Sequence, residues 1–217
     1  MQFVNANRRL VLGVSGAAGA GKDTFCKILQ RHVNIRRYSL GDILKHEVRE
    51  DCLEKYGIDP TNCTRKEKNS IRDYLVEYGS KKREETNGRY FIDKLSKELL
   101  GPDGNVKESV IITDIRYDEY SKDEVHWLKE ELLGFLVHVQ RYKIKNNHHI
   151  AANQPANEDE ERNLPKMMSK RDFLINMETF YELNEYELHQ RIDPLVLNLI
   201  EVMKSHFAKK RLRITLP

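Results

Sequence analysis

One stretch constrains this chain more than any other: Leu10-Val-Leu-Gly-Val-Ser-Gly-Ala-Ala-Gly-Ala-Gly-Lys-Asp-Thr-Phe25, an apolar run that breaks into glycines and resumes with a lysine and helix formers. Leu10 to Val14 reads as a buried strand, and from Lys22 onward Phe25, Ile28 and Leu29 recur at helical spacing. Gly16, Gly19 and Gly21 lie between the two elements. Glycine there tolerates positive φ and lets backbone N–H groups close around a polyphosphate at the positive end of the helix dipole. The stretch therefore reads as a phosphate-binding loop, with Lys22 in reach of the β- and γ-oxygens. The bland reading, a glycine-rich turn with a chance lysine, leaves the joint spacing of strand, loop and helix unexplained.

The general pattern G-x-x-x-x-G-K-[ST] is met by Gly16, Gly21 and Lys22, but Asp23 follows the lysine and the hydroxyl comes one place later, at Thr24. In GTPases the residue after the lysine is a Ser or Thr that ligates Mg²⁺. An aspartate in that place is expected to hold a metal-bound water, while Thr24 donates to a phosphate near the helix start. The expected nucleotide contacts are Gly16, Gly19, Ala20, Gly21, Lys22, Asp23 and Thr24.

A chain of 217 residues suits one α/β domain with a two-sided sheet and at most a small insertion. Lys and Arg number 37 against 34 Asp and Glu, and a net charge of +3 gives no global field that recommends nucleic acid or a membrane as partner. The basic run Lys209 to Arg213 reads as a solvated tail, with nucleic-acid contact as the weaker reading. No stretch approaches the roughly 20 apolar residues of a membrane span. Cys26, Cys52 and Cys63 form no CxxC pair, and their odd number argues for a reducing, cytoplasmic compartment, with Cys26 in the core. Arg8 and Arg9 precede an apolar run too short for a signal sequence.

Val33 to Ser39 is predicted as a second strand. A helix is expected from Asp42, with Leu44, Val48, Cys52 and Tyr56 on one apolar face and Gly57 with Pro60 as the stop. Asp42 and Lys45 lie off that face, at the mouth of a site opening at strand ends. Thr64-Arg-Lys-Glu67 is a capping box, so a further helix is predicted through Ile71 and Leu75 to Gly79. Lys81, Lys82 and Arg83 follow that glycine, either as a solvated terminus or as a grip on a second, anionic substrate. Arg89 to Leu100 is predicted as a helix, and Pro102-Asp-Gly104 as a turn. Ser109 to Arg116 reads as a strand buried on both faces, with Asp114 and Arg116 at its carboxyl end. There an aspartate can hold a Mg²⁺-bound water or cap the next helix, and an arginine can bind phosphate. That helix is expected to run to Leu133 with Tyr120, Val125, Leu128 and Leu132 inward.

Phe135 to Arg141 is a further predicted strand. From Tyr142 to Lys166 the chain is polar and lacks a sustained apolar period, which suggests a mobile lid. His148 and His149 lack a third ligand at metal spacing and read as solvated. Asp172 to Asn176 is predicted as the last strand. Asp193-Pro194 then either starts the closing helix or kinks one begun earlier, with Leu195, Leu199, Val202 and Phe207 as its apolar positions.

These pieces together resemble the P-loop nucleoside-monophosphate kinase group, and within it the phage and viral type deoxynucleoside monophosphate kinases. The resemblance spans most of the chain. It rests on Ser15-Gly-Ala-Ala-Gly-Ala-Gly-Lys-Asp-Thr24, Tyr78-Gly-Ser-Lys-Lys-Arg83 with Arg89-Tyr-Phe91, Asp114-Ile-Arg116, Val137-His-Val-Gln-Arg141, and Asn157-Glu158. The first piece is specific to the superfamily and the rest are looser. One departure is Pro155-Ala-Asn-Glu158, where phage relatives often show His-x-Ser-Glu.

The resemblance implies a parallel sheet flanked by helices over 1–217, an acceptor-binding helical part over about 42–100 and a lid over about 142–166. It implies ATP and Mg²⁺ at Lys22, Asp23 and Thr24, an acceptor phosphate at Arg72, Arg83 and Arg116, and Arg141 beside the transferring phosphoryl group. The implied partners are small-molecule nucleotides, and a homodimer is compatible with the sequence. An animal-type phosphomevalonate kinase looks similar in the same segments and is the rival reading. A GTPase-type switch is disfavoured because no Asn-Lys-x-Asp motif follows a strand, whereas a non-catalytic ATP-binding module stays open.

Overall fold

β1 (Val11–Ser15) is the axis of a mostly parallel sheet, paired with β3 (Val110–Thr113) on one side and β4 (Phe135–Lys145) on the other. The computed structural model describes residues 8–146, 148–153, 155, 157–179 and 184–209. β2 (Arg36–Ser39) extends the sheet beyond β3, and β6 (Phe173–Glu178) runs parallel to β4. β5 (His148–Ala151) turns back antiparallel on the far end of β4, pairing Tyr142 with Ala151 and Lys145 with His148.

Burial on both faces follows from alternation along the strands. Leu10, Leu12 and Val14 pack with Phe25, Ile28 and Leu29 of α1 (Lys22–His32) and with Val196, Leu199 and Met203 of α9 (Glu185–Lys209). On the opposite face Val11, Ile112 and Leu136 meet Phe91, Ile92 and Leu95 of α6 (Tyr90–Leu99) together with the fully buried Trp127. A third, smaller core of Val48, Cys52, Ile71 and Leu75 holds the helical layer. That layer comprises α2 (Leu40–Glu47), α3 (Arg49–Tyr56), α4 (Arg65–Ser70) and α5 (Arg72–Glu85).

Several boundaries depart from the sequence pattern for local reasons. Val33 ends α1, so β2 begins only at Arg36. The helix expected over 42–56 breaks at Val48 (φ −92°, ψ 9°), which turns Tyr56 off the buried face. The capping box at Thr64 and Glu67 is present, but its helix breaks at Ile71, and Gly79 lies buried within α5 rather than ending it. A Cβ on Gly79 would stand 2.9 Å from Leu44 Cδ1, so the glycine serves the close approach of α2 and α5. α7 (Glu124–His126) starts late, capped by Asp123 rather than Asp114, and widens into a π-helical turn over Trp127–Glu131.

The polar stretch 142–166, which shows no sustained apolar period in the sequence, contains the end of β4, all of β5 and the start of α8 (Glu158–Lys170). Asn157 caps α8 by accepting the N–H of Glu160, and the acidic first turn suits the dipole. α9 contains Pro194, as in the kinked alternative, with Ile192, Val196 and Ile200 buried while Leu195 and Val202 face outward. Of the basic run 209–213 only Lys209 is described. Among the described residues no helix is long and apolar enough to cross a membrane.

Candidate phosphate-binding site

The loop between β1 and α1 carries positive φ at Gly16 (141°), Gly19 (76°) and Gly21 (92°). A side chain is excluded at Gly16, where a Cβ would meet the carbonyl oxygen of Val139 at 2.1 Å, and is disfavoured at Gly21 by its positive φ, with Met177 Cε 2.6 Å from an added Cβ. β4 and β6 thus press on the loop from beneath and shape it. Ala20 is fully buried and bonds back to Ala17. Lys22 Nζ donates to the carbonyls of Gly16 (2.8 Å) and Ala17 (3.1 Å), which stretches the ammonium along the loop. Burial lowers its pKa while the charge of Asp114 opposes the shift.

Asp114, at the carboxyl end of β3, adopts the left-handed conformation at φ 68°. Its Oδ2 accepts from Ser39 Oγ at 3.0 Å and its Oδ1 from Arg116 Nη2 at 2.9 Å. Burial pushes its pKa up, but the charges of Arg116 and Lys22 and the two hydrogen bonds outweigh that and hold it below the usual carboxylate range. Ser39 in turn caps α2 through the N–H of Asp42. One hydroxyl therefore ties the end of β2, the start of α2 and the end of β3 together.

Along the rim, charges alternate. Asp23 accepts from Arg37 (3.1 Å), Arg37 also donates to Asp42 (3.3 Å), and Asp42 accepts from Lys45 (2.6 Å). Asp23 keeps one oxygen outside this chain of ion pairs and is largely exposed. Thr24 is half-buried in the first turn of α1.

Arg141 of β4 lies against Gly21, whose added Cβ would be 3.3 Å from both Nε and Nη2. Burial lowers the pKa of this guanidinium. Its Nε is buried without a hydrogen-bond partner, and no described carboxylate pairs with it. On the other side of the loop Glu160, in the first turn of α8, accepts the N–H of Ala18 at 3.3 Å, and Asn153 Nδ2 donates to the Ala18 carbonyl at 3.2 Å. Glu160 also approaches Arg116 at 3.9 Å.

No protein-family model and no curated protein matches this chain. Among solved structures it is similar to shikimate kinase from Aquifex aeolicus vf5, at 19% identity over 87% of this chain and 96% of that one, with a TM-score of 0.41. Shikimate kinase from Bacteroides thetaiotaomicron gives 14% identity over 90% and 98% of the two chains, with a TM-score of 0.47. Dephospho-CoA kinase from Campylobacter jejuni gives 14% identity over 90% and 98%, with a TM-score of 0.44.

Lys22, Asp23, Asp114, Arg116 and Arg141 come together around the loop, with Asp42 and Lys45 at the rim. Arg72 is not brought into contact with this group and bonds Asn69, whereas the pKa of Lys68 of α4 is lowered by burial and then by the charge of Lys45, with Asp114 opposing and Arg116 adding to the shift. Arg83 departs from the expected phosphate grip. It is 5% exposed and paired with Asp123 (2.9 Å) and Glu124 (3.2 Å), so its charge is already neutralised inside the protein. Phe91 is core, while Tyr74 and Tyr78 bond Asp51 and Glu47 within the helical layer.

Sequence reasoning missed Arg37, Lys68, Glu160 and Asn153. Arg37 had a signal in its place near the carboxyl end of β2, and Glu160 in the Asn157 cap followed by acidic residues. Lys68 and Asn153 had none, because only the tertiary fold brings their segments to the loop. His148 and His149 are exposed, and among the described residues no group of three or more His, Cys, Asp or Glu side chains is placed to hold a metal.

Proposed function

We propose that this chain is a kinase that transfers the γ-phosphoryl group of ATP to a (deoxy)nucleoside monophosphate to give the diphosphate. The observation that carries the reading is Arg141, a cation with a buried, unpartnered Nε lying against Gly21 of the phosphate loop. A buried donor without an acceptor is costly unless an anion satisfies it, and a phosphate on the loop supplies one.

In this reading the loop N–H groups and Lys22 hold the phosphates of ATP, and Arg141 neutralises charge on the group in transfer. Arg116, oriented by Asp114, grips the acceptor's phosphate with Lys45, Lys68 and Arg72 nearby. A phosphate oxygen of the acceptor attacks the γ-phosphorus, the bond to the bridging oxygen breaks, and ADP departs with the electron pair. Magnesium would be held through water by the free oxygen of Asp23 and by Asp114, and it would spread the negative charge of the phosphates. The β4–β5 hairpin and the start of α8 serve as the lid.

The test is a panel of monophosphates with ATP and Mg²⁺, followed by ADP release, for the parent and Lys22→Ala. The variant should fold and lose on the order of 10³-fold or more in kcat/KM. Near-normal turnover by Lys22→Ala would remove the loop from the mechanism. At least one deoxynucleoside monophosphate should exceed phosphomevalonate by about 10²-fold in kcat/KM. The reverse preference would overturn the nucleotide acceptor while leaving the kinase reading in place.

A further inference from the structure

Between Arg116 and Tyr120 the chain has no regular secondary structure, yet five consecutive backbone N–H groups are satisfied, all by side chains. Glu124 Oε2 accepts from Arg116 (2.7 Å) and Tyr117 (3.1 Å). Asn163 Oδ1 of α8 accepts from Asp118 (3.4 Å), and Asp123 Oδ2 accepts from Glu119 (2.9 Å) and Tyr120 (3.3 Å). The shape of this loop, and with it the place of Arg116, is set by two carboxylates and one carboxamide rather than by backbone pairing.

Those carboxylates are also the partners of Arg83. Asp123 takes its guanidinium through both oxygens, at 3.0 and 2.9 Å, and Glu124 Oε1 accepts at 3.2 Å. The same guanidinium stacks 3.6 Å from the ring centre of Tyr117. Arg83, Asp123 and Glu124 are 5%, 0% and 4% exposed. A buried trio of charges stabilises less than apolar packing of the same volume, whereas it fixes geometry through its many directed bonds.

We infer that Glu124 is a positioning residue for the acceptor side of the site, holding the backbone that presents Arg116 and, through Arg83, tying it to α5. The inference rests on the kinase reading for the identity of what Arg116 grips, though not for the hold itself. Burial raises the pKa of Glu124 to about 7, with Arg83 opposing and Asp123 reinforcing the shift. The groups facing it are Arg83 from α5, Asp123 beside it, and Arg116 and Tyr117 from the loop. Glu119 stands beyond Arg83 at 3.6 Å, and Glu160 of α8 beyond Arg116 at 3.9 Å. A protonated carboxyl must place its own hydrogen among donors that already occupy both oxygens. The hold is therefore complete above about pH 7 and loosens as pH falls through it.

The experiment compares the parent, Glu124→Ala and Glu124→Gln in acceptor kinetics across pH, in ATP affinity measured without acceptor, and in the amide NMR signals of Arg116 and Tyr117. Glu124→Ala should lose about 10²-fold in kcat/KM for the acceptor, the scale of a small misplacement, with ATP affinity unchanged. Glu124→Gln, whose amide NH2 faces the Arg83 guanidinium as a protonated carboxyl would, should keep at every pH the reduced kcat/KM that the parent reaches only in acid, and should lack the parent's acid limb. In the parent the two amide signals should titrate near pH 7, and in Glu124→Gln they should not.

Parent-like acceptor kinetics in Glu124→Ala, or an unchanged pH profile in Glu124→Gln, would overturn the inference. Should Glu124→Ala not fold, the glutamine variant decides alone. If the parent transfers phosphate to no monophosphate, the kinase reading fails, and the amide titration still decides whether Glu124 holds the loop: signals that do not move with pH would refute it.

Discussion

Glu160 accepts the N–H of Ala18 while Asn153 donates to the carbonyl of the same residue, so one peptide segment of the phosphate loop is held from both sides by the β5–α8 region. A carboxylate on a loop N–H occupies the kind of donor a phosphate oxygen would use. In the proposed reading, nucleotide entry would exchange one anion for another.

The proposed lid predicts a protection pattern. Proteolytic cleavage within 142–166 should slow when an ATP analogue and a monophosphate are added together, because closure over both substrates excludes water and fixes the segment. Equal cleavage rates with and without the two ligands would count against a lid.

Arg141 should trade stability against activity. Its guanidinium is partly desolvated and its Nε has no hydrogen-bond partner among the described residues, so Arg141→Met should leave stability equal or raise it by about 1 kcal/mol, roughly 2–4 °C in Tm. On the proposed kinase reading, turnover should fall at least about 10²-fold, since a preorganised charge at the reacting phosphates would be gone. A clear drop in Tm on calorimetry would show that Arg141 is instead a structural cation.

His138 predicts a pH dependence of stability. It is buried beside Ser15, with Nδ1 2.9 Å from the hydroxyl, and burial, followed by the charges of Arg171 and Lys22, lowers its pKa to about 4. The folded value lies below the ordinary 6.5, so the unfolded chain binds the proton more readily between the two. Its contribution is complete above about pH 6.5 and is lost as pH falls toward 4, amounting to roughly 3 kcal/mol. His138→Gln should flatten denaturant-derived stability over that window; an unchanged slope would place the titration elsewhere.

The sheet was legible because β1, β3 and β4 are buried on both faces and read as continuous apolar runs, and the loop because glycine, lysine and helix spacing coincide at 16–22. The helical layer was less so. Breaks at Val48 and Ile71 carry no glycine or proline, and Gly79 looks like a helix stop until Leu44 is seen packed upon it. Arg83 illustrates the limit for charges: its position after Gly79 suggested an exposed grip, whereas Asp123 and Glu124, some forty residues on, claim it. The hairpin and α8 were hidden by polarity, because β5 is exposed throughout and α8 buries little beyond Glu160, Asn163 and Met167.

The small core of Val48, Cys52, Ile71 and Leu75 stands apart from the two that sandwich the sheet, joined to the nearer one through Leu44 and Tyr78. In hydrogen–deuterium exchange such a layer behaves as its own cooperative unit, opening at a lower free energy than strands buried on both faces. Amides of α4 and α5 should thus exchange well before those of β1, β3 and β4, and a bound acceptor should slow them most. Recognition of the acceptor would then draw on the part of the molecule that unfolds first, so that its affinity includes the work of keeping that part closed.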